Sequence, residues 1–143
     1  MITNIKYIIS ILFILSIFNG CEEKSKPVII KNSTIKTPIE CLKLDSLEKN
    51  ELTKHLSSLY NFSNSCEYTL RLKFKKDIVC NSSYNAGAKS MGKFPKSFIE
   101  LEVRKGLTPI YSYYIDLFHN ANSDDIDSGF KELQKDILTA NSL

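Results

Sequence analysis

The chain contains two histidines, the side chains best suited to acid–base chemistry near neutral pH. His119 follows a predicted strand and stands within five residues of Asp116 and Asp124, so an acid–base pair could form there. His55 falls on the apolar side of a predicted helix, where we expect a hydrogen-bonded core residue. No motif places a serine or cysteine nucleophile beside either ring. We therefore expect no catalytic residue and a protein that is not an enzyme.

The polar stretch before the last predicted helix has part of the spacing of a calcium-binding loop. Asn120, Asn122 and Asp124 occupy its first three ligand positions. Asp125 then stands where glycine must turn the backbone, and Lys131 stands where a bidentate glutamate is needed. The cysteines lack the Cys-x-x-Cys spacing that is typical of zinc sites. We therefore expect no metal site.

The first twenty-one residues have the organisation of an export signal. Lys6 precedes the apolar run Tyr7–Phe18, in which two of twelve residues are serines, and Asn19 and Gly20 lead to Cys21. A membrane-spanning helix needs about 20 apolar residues, so this run has the length of a signal peptide. We predict a signal peptide over the first twenty residues. An uncleaved signal anchor and plain secretion are the alternatives.

The end of this signal resembles the lipobox of bacterial lipoprotein signal peptides, in which a small residue precedes an invariant cysteine. The matching residues are Phe18-Asn19-Gly20-Cys21, with a bulkier first residue than the usual aliphatic one. The resemblance implies that the thiol of Cys21 receives a diacylglyceryl group, that the signal is cut before it, and that the new amino terminus is acylated, for instance with palmitate. Since each buried methylene contributes about 0.8 kcal/mol, the acyl chains would hold the protein on a membrane.

The same resemblance implies a location in the cell. Glu22 rather than aspartate follows the cysteine, and by the sorting preference of this class that favours the outer membrane over the inner membrane. We therefore expect a protein of the bacterial cell envelope that faces the periplasm or the cell surface. The covalent lipid on Cys21 is the one non-protein group that we expect, with no other cofactor.

Net charge and length limit the kinds of partner and the number of domains that we expect for the mature chain. Cleavage removes one lysine and no acidic residue, which lowers the formal net charge from +3 to +2. Because nucleic-acid binding requires a strongly basic face, we expect no nucleic-acid partner. Residues 21–40 contain charges and two prolines without a sustained period, so we predict a lipidated cysteine followed by a flexible tether. An edge strand at Val28-Ile29-Ile30 is the less favoured alternative for part of this segment. Residues 41–143 would then form one small domain.

Hydrophobic periodicity predicts an α+β domain of two layers. Helical spacing predicts one helix over 44–60 and another beginning at Ser123. The second helix carries one apolar stripe: Ile126, Phe130, Leu133 and Ile137. Alternation and apolar runs predict four strands, over 66–75, 78–84, 98–105 and 110–118. The first two would form a hairpin that places Ile78 opposite Phe74. The order αββββα predicts a four-stranded antiparallel sheet flanked by an N-terminal and a C-terminal helix.

Three cysteines remain once Cys21 is lipidated, and an exported protein can join two of them. The predicted helix over 44–60 is about 24 Å long, and the next strand returns beside it. Cys41 would then lie near the far end of that strand, close to Cys80. Cys66 would lie about 20 Å away, beyond the reach of a disulfide. We therefore predict a disulfide between Cys41 and Cys80 and a buried free thiol at Cys66.

The irregular stretch 85–97 is the segment predicted to contact a partner. It is long for a connection in a compact domain, and it contains two glycines and a proline. It also mixes aromatic, methionine and lysine side chains, which suit an interface. An ordinary surface connection is the alternative. The predicted contact residues are Tyr84, Lys89, Met91, Lys93, Phe94 and Lys96.

These features predict a membrane-anchored envelope lipoprotein whose small domain is a non-enzymatic protein-binding module with an envelope protein as its partner. The main alternative is an inhibitor or immunity-type lipoprotein that blocks an envelope-targeting enzyme. A hydrolase built around His119 is less favoured. A carrier of a small apolar ligand is also less favoured, and it would need a cavity lined by Tyr68, Tyr111 and Tyr113.

Overall fold

The computed structural model describes residues 25–33, 38–45, 49–79 and 94–138. Within these ranges the chain forms five strands and two helices. The strands are β1 (Val28–Lys31), β2 (Lys43–Asp45), β3 (Tyr68–Lys75), β4 (Ser97–Lys105) and β5 (Thr108–Leu117). The helices are α1 (Glu51–Ser58) and α2 (Ser123–Ile137).

One mixed sheet joins the five strands in the order β1-β5-β4-β3-β2. β2 runs parallel to β3, and the other neighbouring pairs are antiparallel. The predicted α+β class with two helices is confirmed. The prediction of a four-stranded antiparallel sheet is wrong in its details. Two of the observed strands, β1 and β2, lie in segments expected to be tether and helix, and β2 makes the sheet mixed.

The first helix is shorter than predicted because the segment predicted as one helix, residues 44–60, contains both the end of β2 and α1. Leu44 lies in β2, at the edge of the sheet. Asn50 then begins α1, since its side-chain oxygen accepts a hydrogen bond from the main-chain nitrogen of Thr53 at 2.9 Å. Leu52 and Leu56 of α1 are buried in the core. The helical spacing of the leucines therefore combines one strand residue with the buried face of a short helix.

The predicted hairpin between residues 66–75 and 78–84 is wrong. Phe74 pairs with Ile99 of β4 rather than with Ile78, and β2 occupies the other side of β3. The chain leaves β3 through Asp77, whose φ of 55° lies in the left-handed region. The main-chain nitrogen of Ile78 then donates to the carbonyl oxygen of Lys96 at 2.8 Å. This segment therefore lies beside the start of β4, and residues 80–84 are outside the described part of the chain.

β4 and β5 form the central hairpin, within two residues of the strands predicted over 98–105 and 110–118. Gly106 and Leu107 make its turn, and the φ of 58° at Gly106 is a conformation that glycine adopts without strain. A bulge between Val103 and Arg104 shifts the register so that Arg104 pairs with Pro109. The irregularity accommodates a proline, which has no N–H to donate to the neighbouring strand.

The second helix covers the sheet with the apolar stripe that the sequence predicts. Each residue of the stripe is at most 2% exposed: Ile126, Phe130, Leu133 and Ile137. Asn122 rather than Ser123 caps the helix, because its side chain accepts from the main-chain nitrogens of Asp124 and Asp125 at 2.9 and 3.2 Å. Asp125 in return accepts from the main-chain nitrogen of Asn122 at 3.0 Å. This reciprocal pair is a capping box.

Gly129 allows α2 to approach the sheet closely. A Cβ atom at this position would lie 2.9 Å from Cε1 of Tyr113 and 3.1 Å from Cδ1 of Leu101. Both neighbours are buried residues of the central strands. The spacing between helix and sheet therefore requires a residue without a side chain here.

Part of the segment expected as a tether belongs to the folded domain. β1 pairs antiparallel with β5 as an edge strand. Lys31 holds it against α2, since its Nζ lies 2.7 Å from Oδ1 of Asp136. Tyr111 donates its hydroxyl to the other oxygen of that carboxylate at 3.1 Å. Ile39 is 2% exposed and donates its main-chain N–H to the carbonyl oxygen of Ile137. The domain thus begins before residue 41.

The predicted disulfide between Cys41 and Cys80 is wrong, because Cys41 is bonded to Cys66. The prediction assumed one long helix that would separate these two cysteines. Instead, Cys41 stands two residues before β2 and Cys66 stands two residues before β3. Since the two strands run parallel, both cysteines lie at the same end of the sheet, with their Cα atoms 5.9 Å apart. Cys66 is therefore not a free thiol, and Cys80 lies outside the described residues.

Candidate functional site

His119 lies between β5 and α2 and contacts one carboxylate. Its Nε2 is 3.0 Å from Oδ2 and 3.1 Å from Oδ1 of Asp125, and the histidine side chain is 55% exposed. Asp125 is the capping-box residue of α2. Of the two partners that the sequence suggested, Asp116 instead accepts the hydroxyl of Tyr114 at 2.7 Å, and Asp124 lies one residue before the observed partner. The ring therefore contacts a carboxylate with a structural role.

Ser97 contacts His119, but not in the way that a catalytic serine contacts a histidine. Ser97 is fully buried at the start of β4, and it donates to the main-chain carbonyl oxygen of His119 at 2.6 Å. A catalytic serine would instead offer its hydroxyl to an imidazole nitrogen. This contact fastens the loop after β5 to β4, which is a structural arrangement.

His55 links the two helices. Its Nε2 lies 2.7 Å from Oδ1 of Asp127 on α2, and its side chain is 32% exposed. The expected hydrogen bond is present, but the expected core position is wrong. The buried face of α1 is formed by Leu52, Thr53 and Leu56, and the His55 ring lies at the surface where it meets α2.

The residues with calcium-loop spacing serve local structure. Asn120 donates from its side-chain nitrogen to Oδ1 of Asp77 at 3.0 Å, which joins two loops. Asn122 caps α2. Among the residues that the structure describes, no group of three or more histidine, cysteine, aspartate or glutamate side chains could hold a metal ion.

The three tyrosines suggested for an apolar ligand site lie in different surroundings. Tyr111 and Tyr113 are 1% and 4% exposed within the core, whereas Tyr68 is half-buried at the start of β3. Burial, reinforced by the carboxylate of Asp136, raises the pKa of the Tyr111 hydroxyl. An open cleft of about 550 Å³ lies elsewhere, at the N-terminal end of α1. Its described lining residues are Leu44, Lys49, Asn50, Glu51, Thr53, Lys54 and Ser57.

The sheet face opposite the helices carries charged side chains at its centre. Nζ of Lys73 lies 3.3 Å from Glu100 and 3.5 Å from Glu102. The guanidinium of Arg104 lies 3.1 Å from Glu102. The Lys73 contacts join β3 to β4, whereas Arg104 and Glu102 lie on the same strand. Because the pairs are partly exposed, each contributes little to stability, and the face remains available to solvent.

Beside these charges lies an apolar patch, which we call the outer strip. Its members are Val28 and Ile30 of β1, Tyr114 of β5 and Phe98 of β4. Val28 and Ile30 are 55% and 64% exposed. The rings of Phe98 and Tyr114 stack with centroids 5.6 Å apart. Partial burial, together with the hydrogen bond to Asp116, raises the pKa of the Tyr114 hydroxyl, so this ring remains neutral.

The sequence reasoning missed the outer strip, although one signal was available. Val28, Ile29 and Ile30 are three consecutive large apolar residues in a segment expected as a tether. In the structure none of them is buried, because β1 is an edge strand. A run of β-branched residues that stays at the surface indicates a contact surface more directly than the lysine-containing stretch did.

The predicted contact residues are described only in part. Phe94 is half-buried and Lys96 is exposed, and the main chain of Lys96 bonds to the carbonyl oxygen of Leu117 at 2.8 Å. The other four lie outside the described residues: Tyr84, Lys89, Met91 and Lys93. The predicted lipidation site, Cys21, also lies outside them.

Comparison with protein-family models, with curated proteins and with solved structures finds no significant match to this chain. In the described ranges, neither helix has the length and apolar character required to cross a bilayer.

Proposed function

We propose that the protein is a bacterial envelope lipoprotein, anchored by acyl chains on Cys21, and that its domain is a non-enzymatic module that binds another envelope protein through the outer strip. The observation that carries this proposal is β1. All four of its residues are exposed, although three of them are valine or isoleucine. A strand of this composition that joins a sheet without covering its apolar side chains offers them to a partner.

The composition of the outer strip suits a protein partner. Two aliphatic side chains and a stacked aromatic pair form an apolar centre. Glu100 and Asp116 of the adjoining strands lie on the same face and supply polar groups at its margin. Protein interfaces have this arrangement, with aromatic and aliphatic anchors inside a polar rim. Tyr114 combines both properties because its ring stacks while its hydroxyl donates to Asp116.

The position of β1 in the chain limits where the partner can be. Six residues separate Cys21 from Val28. A fully extended chain of that length spans at most about 25 Å. If Cys21 carries acyl chains, the outer strip remains close to the membrane. Its partner is therefore another protein of the same envelope compartment.

Site-directed photo-crosslinking tests this function in the full-length, membrane-anchored protein. A photoreactive side chain in place of Ile30 should give a discrete adduct with a second protein. The matched control carries the same group in place of Leu107, which is 90% exposed at the β4–β5 turn. Tyr114→Ala should weaken the adduct formed from position 30. Equal adducts from both positions, or no adduct from position 30, would contradict the proposal. An adduct with an envelope-targeting enzyme would identify the module as an inhibitor.

A further inference from the structure

The register of β1 determines which of its main-chain groups face away from the sheet. The main-chain N–H of Asn32, which follows the strand, donates to the carbonyl oxygen of Ile110 at 2.9 Å. In an antiparallel pair, residues that bond to the neighbouring strand alternate with residues whose main-chain groups point the other way. Val28 and Ile30 therefore bond to β5 as Asn32 does. The main-chain groups of the two odd-numbered residues of β1 point away from β5.

These outward groups form the free edge, by which we mean the N–H and C=O groups of Ile29 and Lys31. β1 is the outermost strand on its side of the sheet, within the ranges that the structure describes. The charge of Lys31 does not face this edge, because its Nζ lies 2.7 Å from Oδ1 of Asp136 on α2. Main-chain groups of this kind at the edge of a sheet are a template for another extended chain.

The side chains next to the free edge are apolar on both faces of β1. Val28 and Ile30 belong to the outer strip and are 55% and 64% exposed. Ile29 lies on the face that carries the helices, and it is 37% exposed. Large β-branched side chains pack well against the side chains of a neighbouring strand. A chain that pairs with the free edge would therefore cover part of all three.

A cleft lies where β1 ends. β5 begins at Thr108, three residues before its last pairing with β1, so the sheet has a step at this point. The cleft has a volume of about 310 Å³, and residues 30–32 and 109–112 border it. A strand that pairs with β1 and continues past Lys31 would run beside this cleft, which has room for one of its side chains. Strand addition gains specificity from such pockets.

We propose that the partner of the outer strip pairs with the free edge as an added strand, through an extended segment of about four residues, the length of β1, with apolar side chains on both faces. This inference rests on the proposed function, because it specifies how the same partner binds. Main-chain hydrogen bonds to Ile29 and Lys31 hold the segment in register. Its alternate side chains contact Val28 and Ile30 on one face and Ile29 on the other.

The occupant that fits is a different protein rather than a second copy of this chain. Two copies joined through β1 would extend the sheet in its own plane, so their outer strips would lie side by side and stay exposed. A different protein can pair through one strand and cover the outer strip with the residues that follow. Two four-residue strands are also small against the roughly 1,200–2,000 Å² that a specific interface buries.

Ile29→Pro tests the added strand in the full-length, membrane-anchored protein with the photoreactive side chain in place of Ile30. Proline removes the outward N–H of residue 29 and puts its ring in the path of the added strand, while the bonds of β1 to β5 are kept. The yield of the adduct should fall about tenfold. Ile29→Val is the matched control, because valine is close to proline in size and keeps the N–H. Its yield should stay within about twofold of the parent.

Amide hydrogen exchange provides a second measurement that does not depend on the variant. In the purified adduct, the amides of Ile29 and Lys31 should exchange at least about tenfold more slowly than in the free protein, because the added strand bonds to them. Exchange also checks the proline variant. The amide of Asn32 should stay as slow as in the parent, since its bond to Ile110 is kept. If proline released β1 instead, exchange in the parent adduct would decide the question.

The outcomes separate this inference from the proposed function. An undiminished adduct in an Ile29→Pro variant with β1 still paired would overturn the added strand, as would unchanged exchange of Ile29 and Lys31 in the adduct. Binding through the outer strip would stand in both cases. No adduct from position 30 in the parent would contradict the proposed function, and the added strand with it. An adduct of two copies of this chain would overturn the assignment to a different protein.

Discussion

Cys41 and Cys66 are joined across the start of two parallel strands, each cysteine lying two residues before its strand. The bond fastens β2, a strand of three residues at the edge of the sheet, to its neighbour β3. So short a strand offers few backbone hydrogen bonds, and the covalent link supplies what the pairing lacks. The disulfide also closes a loop that contains α1.

Removal of this disulfide should destabilise the domain. The bonded cysteines are 25 residues apart, and closing a loop of that length stabilises a fold by about 3 kcal/mol through the entropy of the unfolded chain. The double variant Cys41→Ala and Cys66→Ala should lower the free energy of unfolding by that amount. Urea unfolding followed by circular dichroism measures it. An unchanged urea midpoint would contradict the stabilising role.

Thiol counting checks the pairing itself. In the acylated mature protein, denatured without reduction, one thiol should react with a maleimide, and three should react after reduction. The one reactive thiol belongs to Cys80, because Cys21 is acylated and the other two are bonded. A peptide in which Cys80 is cross-linked to Cys41 would contradict the observed pairing.

Gly129→Ala should destabilise the domain even though alanine is the better helix former. The substitution gains about 1 kcal/mol of helix propensity. The new methyl group, however, meets the buried ring of Tyr113 at 2.9 Å, and overpacking of a filled core costs about 1–3 kcal/mol. We expect a net loss of about 1 kcal/mol in the free energy of unfolding. Urea unfolding measures it.

Ser128→Ala is the matched control, because Ser128 neighbours Gly129 on the exposed side of α2. This variant loses only a hydroxyl bond to the carbonyl oxygen of Asp124. Its stability should equal that of the parent protein or exceed it slightly, since alanine has the higher helix propensity. If both variants were equally stable, the close approach of helix and sheet would not constrain residue 129.

Tyr111→Phe should change how stability depends on pH in alkaline solution. Burial and then Asp136 raise the pKa of this hydroxyl in the folded state. Below the ordinary tyrosine pKa of about 10, both states are protonated and the contribution is complete. As the pH rises above that value, the unfolded state loses the proton first, so the free energy of unfolding falls. The phenylalanine variant should show a shallower fall.

The same variant should also be less stable at neutral pH, because it loses the hydrogen bond to the carboxylate of Asp136. A bond to a charged group contributes about 1.5–3 kcal/mol. Urea unfolding at pH 7 and at pH 11 separates the two effects. An identical slope in the parent protein and the variant would show that Tyr111 ionises normally in the folded state.

The elements that were predictable from the sequence are those with a long, clean period. β3 and β4 alternate because one face packs under the helices while the other meets solvent. The second helix was predictable because its buried residues repeat at helical spacing over about three turns, from Ile126 to Ile137. In these segments local spacing and tertiary burial agree.

β2 was not predictable, and β1 was only a less favoured alternative to the tether, for two different physical reasons. β2 has three residues, too few to establish a period, and Leu44 falls in helical register with the leucines of α1. β1 has no buried face, so its apolar residues do not alternate with polar ones. The error at β2 led directly to the wrong disulfide, since the pairing of Cys41 depends on the direction in which the following strand runs.

The acylation of Cys21 determines where the outer strip operates, so the mass of the mature amino terminus tests the account most directly. We predict that membrane-extracted protein lacks residues 1–20 and begins at Cys21, with a mass increased by a diacylglyceryl group and an amide-linked acyl chain. Cys21→Ser should abolish both the added mass and the cleavage. An amino terminus with an unmodified Cys21, or one that retains residues 1–20, would contradict the account.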